Sequence, residues 1–301
     1  MRISFVIPTR DRVQELAYTL SRLGSLDASD LGDAELIVVD NDSRDPSDLP
    51  DTLSNGIPVT HVPLNENRGT AARNIAVRHA RGEWVIMLDD DSHLCPGPTG
   101  AYLAGVNQRT AAVGGEILLP DGSHEAGGLP EVFIGCGCAI RRAAFLEAGG
   151  YDESFRYYAE EYDLCAKLIA RGHRVTHTRA LRFEHRKVAA GRDMDNILYR
   201  LVRNNGWVIQ RYAPEHLRPA AMDEMTARYR LIAGAEGAME GYGLGLDELE
   251  RTLHAQPPHA LTESHWERFI GGAALREGLI PQLKIAPPGP VAIIGPSNGK
   301  G

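Results

Sequence analysis

Trp84-Val85-Ile86-Met87-Leu88-Asp89-Asp90-Asp91 decides the fold. Five consecutive apolar side chains leave no polar face, and only a strand covered on both sides needs such a run. It stops on three carboxylates. Toward the N-terminus the same design occurs twice more: residues 2–7 end in Pro8-Thr9-Arg10, and residues 35–39 run into Asp40-Asn41-Asp42-Ser43. The segments between have helical spacing. Val13, Leu16, Ala17, Leu20 and Leu23 mark a helix over 13–23 that Gly24 stops, and a second is expected over 69–80, closed by Gly82. A short strand is expected near 57–62. Buried strands alternating with helices predict an α/β fold with a parallel sheet covered on both faces. In such sheets ligands bind outside the carboxyl ends of the strands, where all three polar clusters sit.

Beyond about residue 110 the pattern loosens. A strand is expected over 111–119, and helices over 143–148, 160–170 and 194–211. Residues 132–140 are rich in glycine and cysteine. The glycine-rich stretch 233–246 reads as irregular, and the tail from Ala286, with its prolines and glycines, as an extended arm or disorder. The 301 residues carry a net charge of −8 without a long run of either sign, which argues against nucleic acid as a partner. No stretch reaches the roughly 20 apolar residues of a membrane span, and the N-terminus lacks the core and cleavage site of a signal peptide. The four cysteines suit a reduced, cytoplasmic protein. Cys136-Gly137-Cys138 reads as a pair of small strand residues, because no second cysteine pair completes a zinc site.

An acidic protein that handles an anionic ligand must supply positive charge locally. Asp89, Asp90 and Asp91 repel one another unless a positive group sits among them, and two of the three can hold a divalent cation through oxygen. Asp40 and Asp42 can accept hydrogen bonds from a nucleobase or ribose, or can simply cap a turn. Asn67-Arg68-Gly69-Thr70 opens a helix with Arg73 one turn in, an arrangement suited to an anion. Glu160, Glu161 and Asp163 crowd another helix start. The helix dipole accounts for some of that charge, and one of these acids is available as a general base.

These pieces, in order, resemble family 2 glycosyltransferases, in particular the non-processive rhamnosyltransferase-like branch. The resemblance runs from about Ile3 to Pro214. It rests on residues 6–12, 38–43, 67–69, Arg73-Asn74, 88–91, Gly149-Gly150-Tyr151-Asp152-Glu153, 160–164 and, late in the chain, Leu198-Tyr199 with Arg203-Asn204. It implies a GT-A fold, a Rossmann-like nucleotide-binding mixed sheet flanked by helices, over residues 1–214. The nucleotide half would span about 1–110 and the acceptor half about 111–214. A mainly helical extension over 215–301 would cover the acceptor site, form a dimer contact, or do both. The activity implied is inverting transfer of a sugar from a nucleotide-diphosphate sugar to a small-molecule, glycan or natural-product acceptor, assisted by Mn2+ or Mg2+. Pro8, Thr9, Arg10, Asp40, Asp42, Arg68, Gly69 and Arg73 would line the nucleotide pocket. Asp89 and Asp91 would bind the metal with His185, and Asp90 would reach ribose or donor sugar. The family's base is usually an aspartate, for which this chain has Glu161, next to Glu160. Two other readings, a sugar nucleotidyltransferase and a catalytically silent nucleotide-sugar-binding protein, share the sheet. The first would carry a glycine-rich basic loop where Pro8-Thr9-Arg10-Asp11 stands.

Overall fold

The computed structural model describes residues 2–125, 130–187 and 193–271. The expected arm from Ala286 lies outside them. By internal contacts the chain divides into a first unit, Met1–His124 with Phe133–Val188, and a second, Glu125–Val132 with Ala189–Gly301.

In the first unit the order is β1 (Arg2–Thr9), α1 (Val13–Gly24), α2 (Ala28–Leu31), β2 (Asp33–Asp40), β3 (Val59–Pro63), α3 (Ala72–His79), β4 (Trp84–Met87), β5 (Ser92–Leu94), α4 (Thr99–Gly105), β6 (Thr110–Leu118), β7 (Cys138–Arg141), α5 (Arg142–Glu147), α6 (Glu160–Ala170) and β8 (Arg174–His185). One eight-stranded sheet runs β3-β2-β1-β4-β7-β6-β8-β5. The first four positions are parallel, as the apolar runs require. The other half is mixed: β7 is antiparallel to β4 and β6, β8 is parallel to β6, and β5 is antiparallel to β8. Ile3, Phe5, Ile7, Leu36, Val38 and every residue from Trp84 to Leu88 are fully buried. Each such side chain contributes about 1.5–3 kcal/mol on leaving water.

One carboxylate lies inside this apolar layer. Glu35, in β2, is buried, and burial alone would raise its pKa. Ser4 Oγ donates to Oε1 at 2.7 Å, and the Arg81 backbone N–H and Nε donate at 2.6 and 3.0 Å. These bonds outweigh burial and hold Glu35 below its ordinary value. They fasten the starts of β1 and β2 to the turn that leads into β4, so the far ends of the same strands emerge in fixed register.

The second unit contains α7 (Met194–Tyr212), α8 (Arg218–Glu236), α9 (Met239–Thr252) and α10 (Glu263–Ile270). Residues 233–246, expected to be irregular, are instead the end of α8, a turn at Gly237 and the first half of α9. The glycines serve packing. A Cβ at Gly241 would stand 2.0 Å from the Asp195 carbonyl oxygen, so α9 lies on α7 at a distance that only a bare backbone permits. Glu131 accepts two bonds from Arg268, at 2.9 and 3.0 Å. No helix among the described residues is long and apolar enough to cross a membrane.

Candidate active site

The carboxyl ends of β1, β2 and β4 come level. Thr9 is in register with Asp40, and Val6 with Met87, so Thr9 meets the residues that follow β4. Thr9 Oγ1 donates to Asp90 Oδ2 at 3.0 Å.

The three adjacent carboxylates go separate ways. Asp90 is 5% exposed and takes Arg12 Nη1 at 2.8 Å on its other oxygen. Burial, reinforced by Asp89 and Asp91, pushes its pKa up to about 7, against the pull of Arg12 and Thr9. Asp91 is equally buried. It takes Arg12 Nη2 on Oδ2 at 2.8 Å, while Oδ1 lies 3.3 Å from His185 Nε2. Burial works to raise Asp91, but His185 and Arg12 prevail and hold it well below the usual carboxylate range. Asp89 is half-exposed and bonds to buried Arg73, which also donates to the Leu88 carbonyl at 3.3 Å. The positive charge that the triple carboxylate needs therefore comes from Arg12 and Arg73.

Asp89 also belongs to a donor cluster. One ligand atom each from Asp89, Cys136 and His185 lies within 4.8 Å of the other two. Oxygen, sulfur and imidazole nitrogen at that spacing fit a divalent transition-metal ion. Pairing of β5 with β8 sets His185 opposite Ser92, and the Arg186 backbone N–H donates to the Asp91 carbonyl at 2.9 Å.

Asp40 takes the capping role of the two expected for it. Its Oδ1 caps the following turn by accepting the Ser43 N–H at 2.8 Å. Its Oδ2 is buried without a partner, which marks an oxygen waiting for a donor. Around it the pocket residues vary. Pro8 is half-buried beside Val39. Exposed Arg10 bonds to the Asp42 carbonyl at 3.1 Å, and Asp42 itself is left-handed (φ 69°) at the rim. The Arg68 side chain is taken up by Glu66 and Glu153, and buried Gly69 accepts Asn41 Nδ2 at 3.0 Å.

Glu160 and Glu161 begin α6, directly after left-handed Tyr158 and Ala159 (φ 70° and 63°). Such backbone costs about 1–2 kcal/mol per residue. Glu160 is 5% exposed with Oε2 unpartnered. Burial first, then the neighbouring Glu161, raise its pKa well above the ordinary value. Glu161 is only half-buried and accepts the Gly135 N–H at 3.2 Å. A Cβ at Gly135 would lie 2.7 Å from Glu161 Oε1, so a larger residue there would displace the carboxylate from its present position. Burial raises Glu161 too, and Asp89 adds to it.

Sequence reasoning gave no role to Arg12, Asn41 or Cys136. Arg12 sits in a quoted motif, and a second cation close after Arg10 was the available signal. Cys136, expected with Cys138 as a strand residue, precedes β7, which begins at Cys138, and its place beside His185, 49 residues away, depends on strand register.

Residues 4–118 match the Glycosyl transferase family 2 model. The matched segment carries Thr9, Asp40, Arg73 and the three aspartates, whereas Cys136, both glutamates and His185 lie beyond it. An uncharacterized glycosyltransferase of Haemophilus influenzae is 25% identical over 195 residues, covering 56% of this chain and 62% of the relative. Among solved structures, GalNAc-T7 with UDP, GalNAc and Mn2+ aligns with a TM-score of 0.59 at 17% identity, covering 86% of this chain and 58% of that one. The mannosyltransferase PcManGT of Pyrobaculum calidifontis, in complex with GDP-Man and Mn2+, aligns at 0.51 and 18% identity, covering 93% and 81%. The chain thus spans about three fifths of the length of the first two relatives. The likeness establishes the GT-A fold.

Proposed function

We propose that this chain is a glycosyltransferase that moves a sugar, with inversion, from a nucleotide-diphosphate sugar to an acceptor hydroxyl. The observation that carries the reading is the meeting, at the carboxyl ends of β1 and β4, of Asp89 in a three-residue donor cluster with Arg73 and the raised Glu160-Glu161 pair. The family 2 match and the nucleotide and Mn2+ named for the solved structures support it.

Asp40 Oδ2 accepts a hydrogen bond from the base or ribose of the donor. Asp89 and His185 would hold a divalent cation, which would supply stabilisation for the charge on a departing nucleotide diphosphate. Arg73 orients Asp89 through a direct bond to its carboxylate. Glu161, half-exposed where Glu160 is buried, takes the proton from the acceptor hydroxyl as its oxygen attacks. Its raised pKa makes it a stronger base than a solvated glutamate, and the Gly135 N–H fixes its carboxylate. The acceptor is a hydroxyl compound, whether small molecule, glycan or natural product. Four free cysteines agree with a cytoplasmic setting.

A donor screen tests the proposal. The protein is mixed with UDP-, GDP- and dTDP-sugars in manganese or in chelator, and released nucleotide diphosphate is quantified. Release from one donor, only with metal, is expected. Absence of release together with absence of metal-dependent nucleotide binding by calorimetry refutes it, and retention in the product, seen by NMR, refutes the inverting mechanism.

A further inference from the structure

We infer that Thr70 is a positioning residue for the Glu160-Glu161 pair, holding the left-handed turn over 156–159 from which α6 starts. The role of the two acids rests on the proposed function, whereas the fastening is a feature of the fold.

The start of α6 has little to fix it from within. Helices commonly open on Ser, Thr, Asp or Asn, whose side chain accepts a first-turn N–H. α6 opens after Ala159, which makes no such bond. Arg156, Tyr158 and Ala159 all have positive φ, at 59°, 70° and 63°. Side chains rarely adopt such backbone, and it persists only where the surroundings over-determine it. The direction in which Glu160 and Glu161 leave the chain therefore depends on what holds residues 156–159.

That hold comes from the segment that leads into α3. Thr70, buried in the short turn Gly69–Ala71, donates both its backbone N–H and its hydroxyl to the Arg156 carbonyl, each at 2.9 Å. A Cβ at Gly69 would stand 2.5 Å from the same oxygen, so the two segments meet backbone to backbone. One helical turn further on, Asn74 Nδ2 donates to the Tyr151 carbonyl at 2.8 Å, and Asn74 Oδ1 accepts the Tyr151 N–H at 2.9 Å. Residues 151–156 are thus tied down at both ends. The support is itself fixed to the sheet. Asn41 donates to the Gly69 carbonyl at 3.0 Å and accepts the Arg68 N–H at 2.8 Å, while its own N–H bonds to the Thr9 carbonyl at 2.8 Å. Thr70 also acts on the pair directly. Burial and Glu161 raise Glu160, and the Thr70 side chain is among the groups that oppose them.

Thr70→Val keeps the outline of the side chain and removes the hydroxyl, whereas Thr70→Ser keeps the hydroxyl. Both are compared with wild type by hydrogen exchange and mass spectrometry, and by nucleotide diphosphate release from the UDP-, GDP- and dTDP-sugars of the donor screen. In Thr70→Val the amides of residues 157–163 should exchange at least about tenfold faster while those of β1 and β4 are unchanged. Its kcat should fall about 10–100-fold, the scale of loss when a reacting group is displaced by about 1 Å. The donor KM should stay within about twofold, the pattern of a lost transition-state contact. Thr70→Ser should behave as wild type in both measurements. Should Thr70→Val not fold, Thr70→Ala is read in the same way. Unchanged exchange over 157–163 overturns the inference, as does a serine variant that matches valine. A raised KM at constant kcat also overturns it, because Thr70 would then be a donor contact. If exchange rises as expected but wild type neither releases nor binds any of the nucleotides, the fastening stands and the transferase reading falls. If wild type turns a donor over and Thr70→Val does so equally well, the transferase reading stands and the positioning role falls.

Discussion

Asp90→Asn should make the protein more stable at neutral and alkaline pH while impairing its activity. Asp90 is almost fully buried, and burial with two aspartate neighbours lifts its pKa from 3.8 to about 7. The folded chain therefore holds this proton more tightly than the unfolded chain does. Folding loses stability as pH climbs from about 4 to about 7, and above that the whole cost is carried. At 1.36 kcal/mol per pH unit the cost is about 4 kcal/mol, and roughly 2–4 kcal/mol allows for local relaxation. Asparagine has nearly the same shape and no charge to desolvate. Its carbonyl can still accept from Arg12, and its amide can donate to Thr9 Oγ1, which now donates to Asp90 at 3.0 Å. Urea unfolding in chelator, followed by far-ultraviolet circular dichroism at pH 8, 6 and 4, measures the effect. The variant should gain about 2–4 kcal/mol at pH 8, less at pH 6 and almost nothing at pH 4. A gain independent of pH, or a loss at pH 8, refutes the reasoning, because either result means that Asp90 is not a strained carboxylate. Stability gained at the expense of activity is the usual signature of a charge retained for function.

Glu161→Gln should lower transfer by about 10²–10⁴-fold, the usual value of a general base, with donor affinity in calorimetry nearly unchanged; a variant within tenfold of wild type removes Glu161 from that role. Because burial raises Glu161 above the ordinary 4.5, kcat should fall on the acid side at a pH above that value, and this limb should vanish in the glutamine variant. Glu35→Ala should cost about 2–3 kcal/mol at pH 7, as expected for losing charge-assisted bonds. The Glu35 pKa is depressed, so its contribution is complete above 4.5 and disappears as pH falls through the lowered value; a deficit unchanged at pH 3 contradicts the assignment. In α9, Gly241→Ala sets about 1 kcal/mol of gained helix propensity against a methyl group 2.0 Å from a backbone oxygen. Overpacking of this kind costs about 1–3 kcal/mol, so thermal unfolding should show a lower Tm, and a higher one denies the close approach of α7 and α9.

The parallel half of the sheet is legible in the sequence because burial on both faces writes a run that no half-exposed element can carry. Val38-Val39 and Trp84 to Leu88 need no partner to be interpreted, and the polar residues ending each run point to the ligand edge. The mixed half writes weaker signals. Exposed and buried residues are interleaved along β8, and β5 has three residues, too few for any period. Glycine misleads in the opposite direction: in 233–246 it suggests irregularity, yet its missing side chain is what lets a helix pack.

The same contrast governs the site. Asp40, Asp89 and Glu161 are found from the sequence because each terminates or begins an element whose pattern is local. Their partners are set by register between distant strands, which composition does not encode. The repulsion argument for Asp89-Asp90-Asp91 requires a positive group but is silent on its source. The structure answers with Arg12 and Arg73, so part of the charge a cation was expected to balance is already balanced by the protein. Asp89, the most exposed of the three, is the one bonded to Arg73 and grouped with Cys136 and His185. A cluster that looks like three equivalent carboxylates is thus one half-exposed acid in a donor cluster, one buried acid with a raised pKa and one held well below the usual range, and separate responses of the three to substitution follow from that inequality.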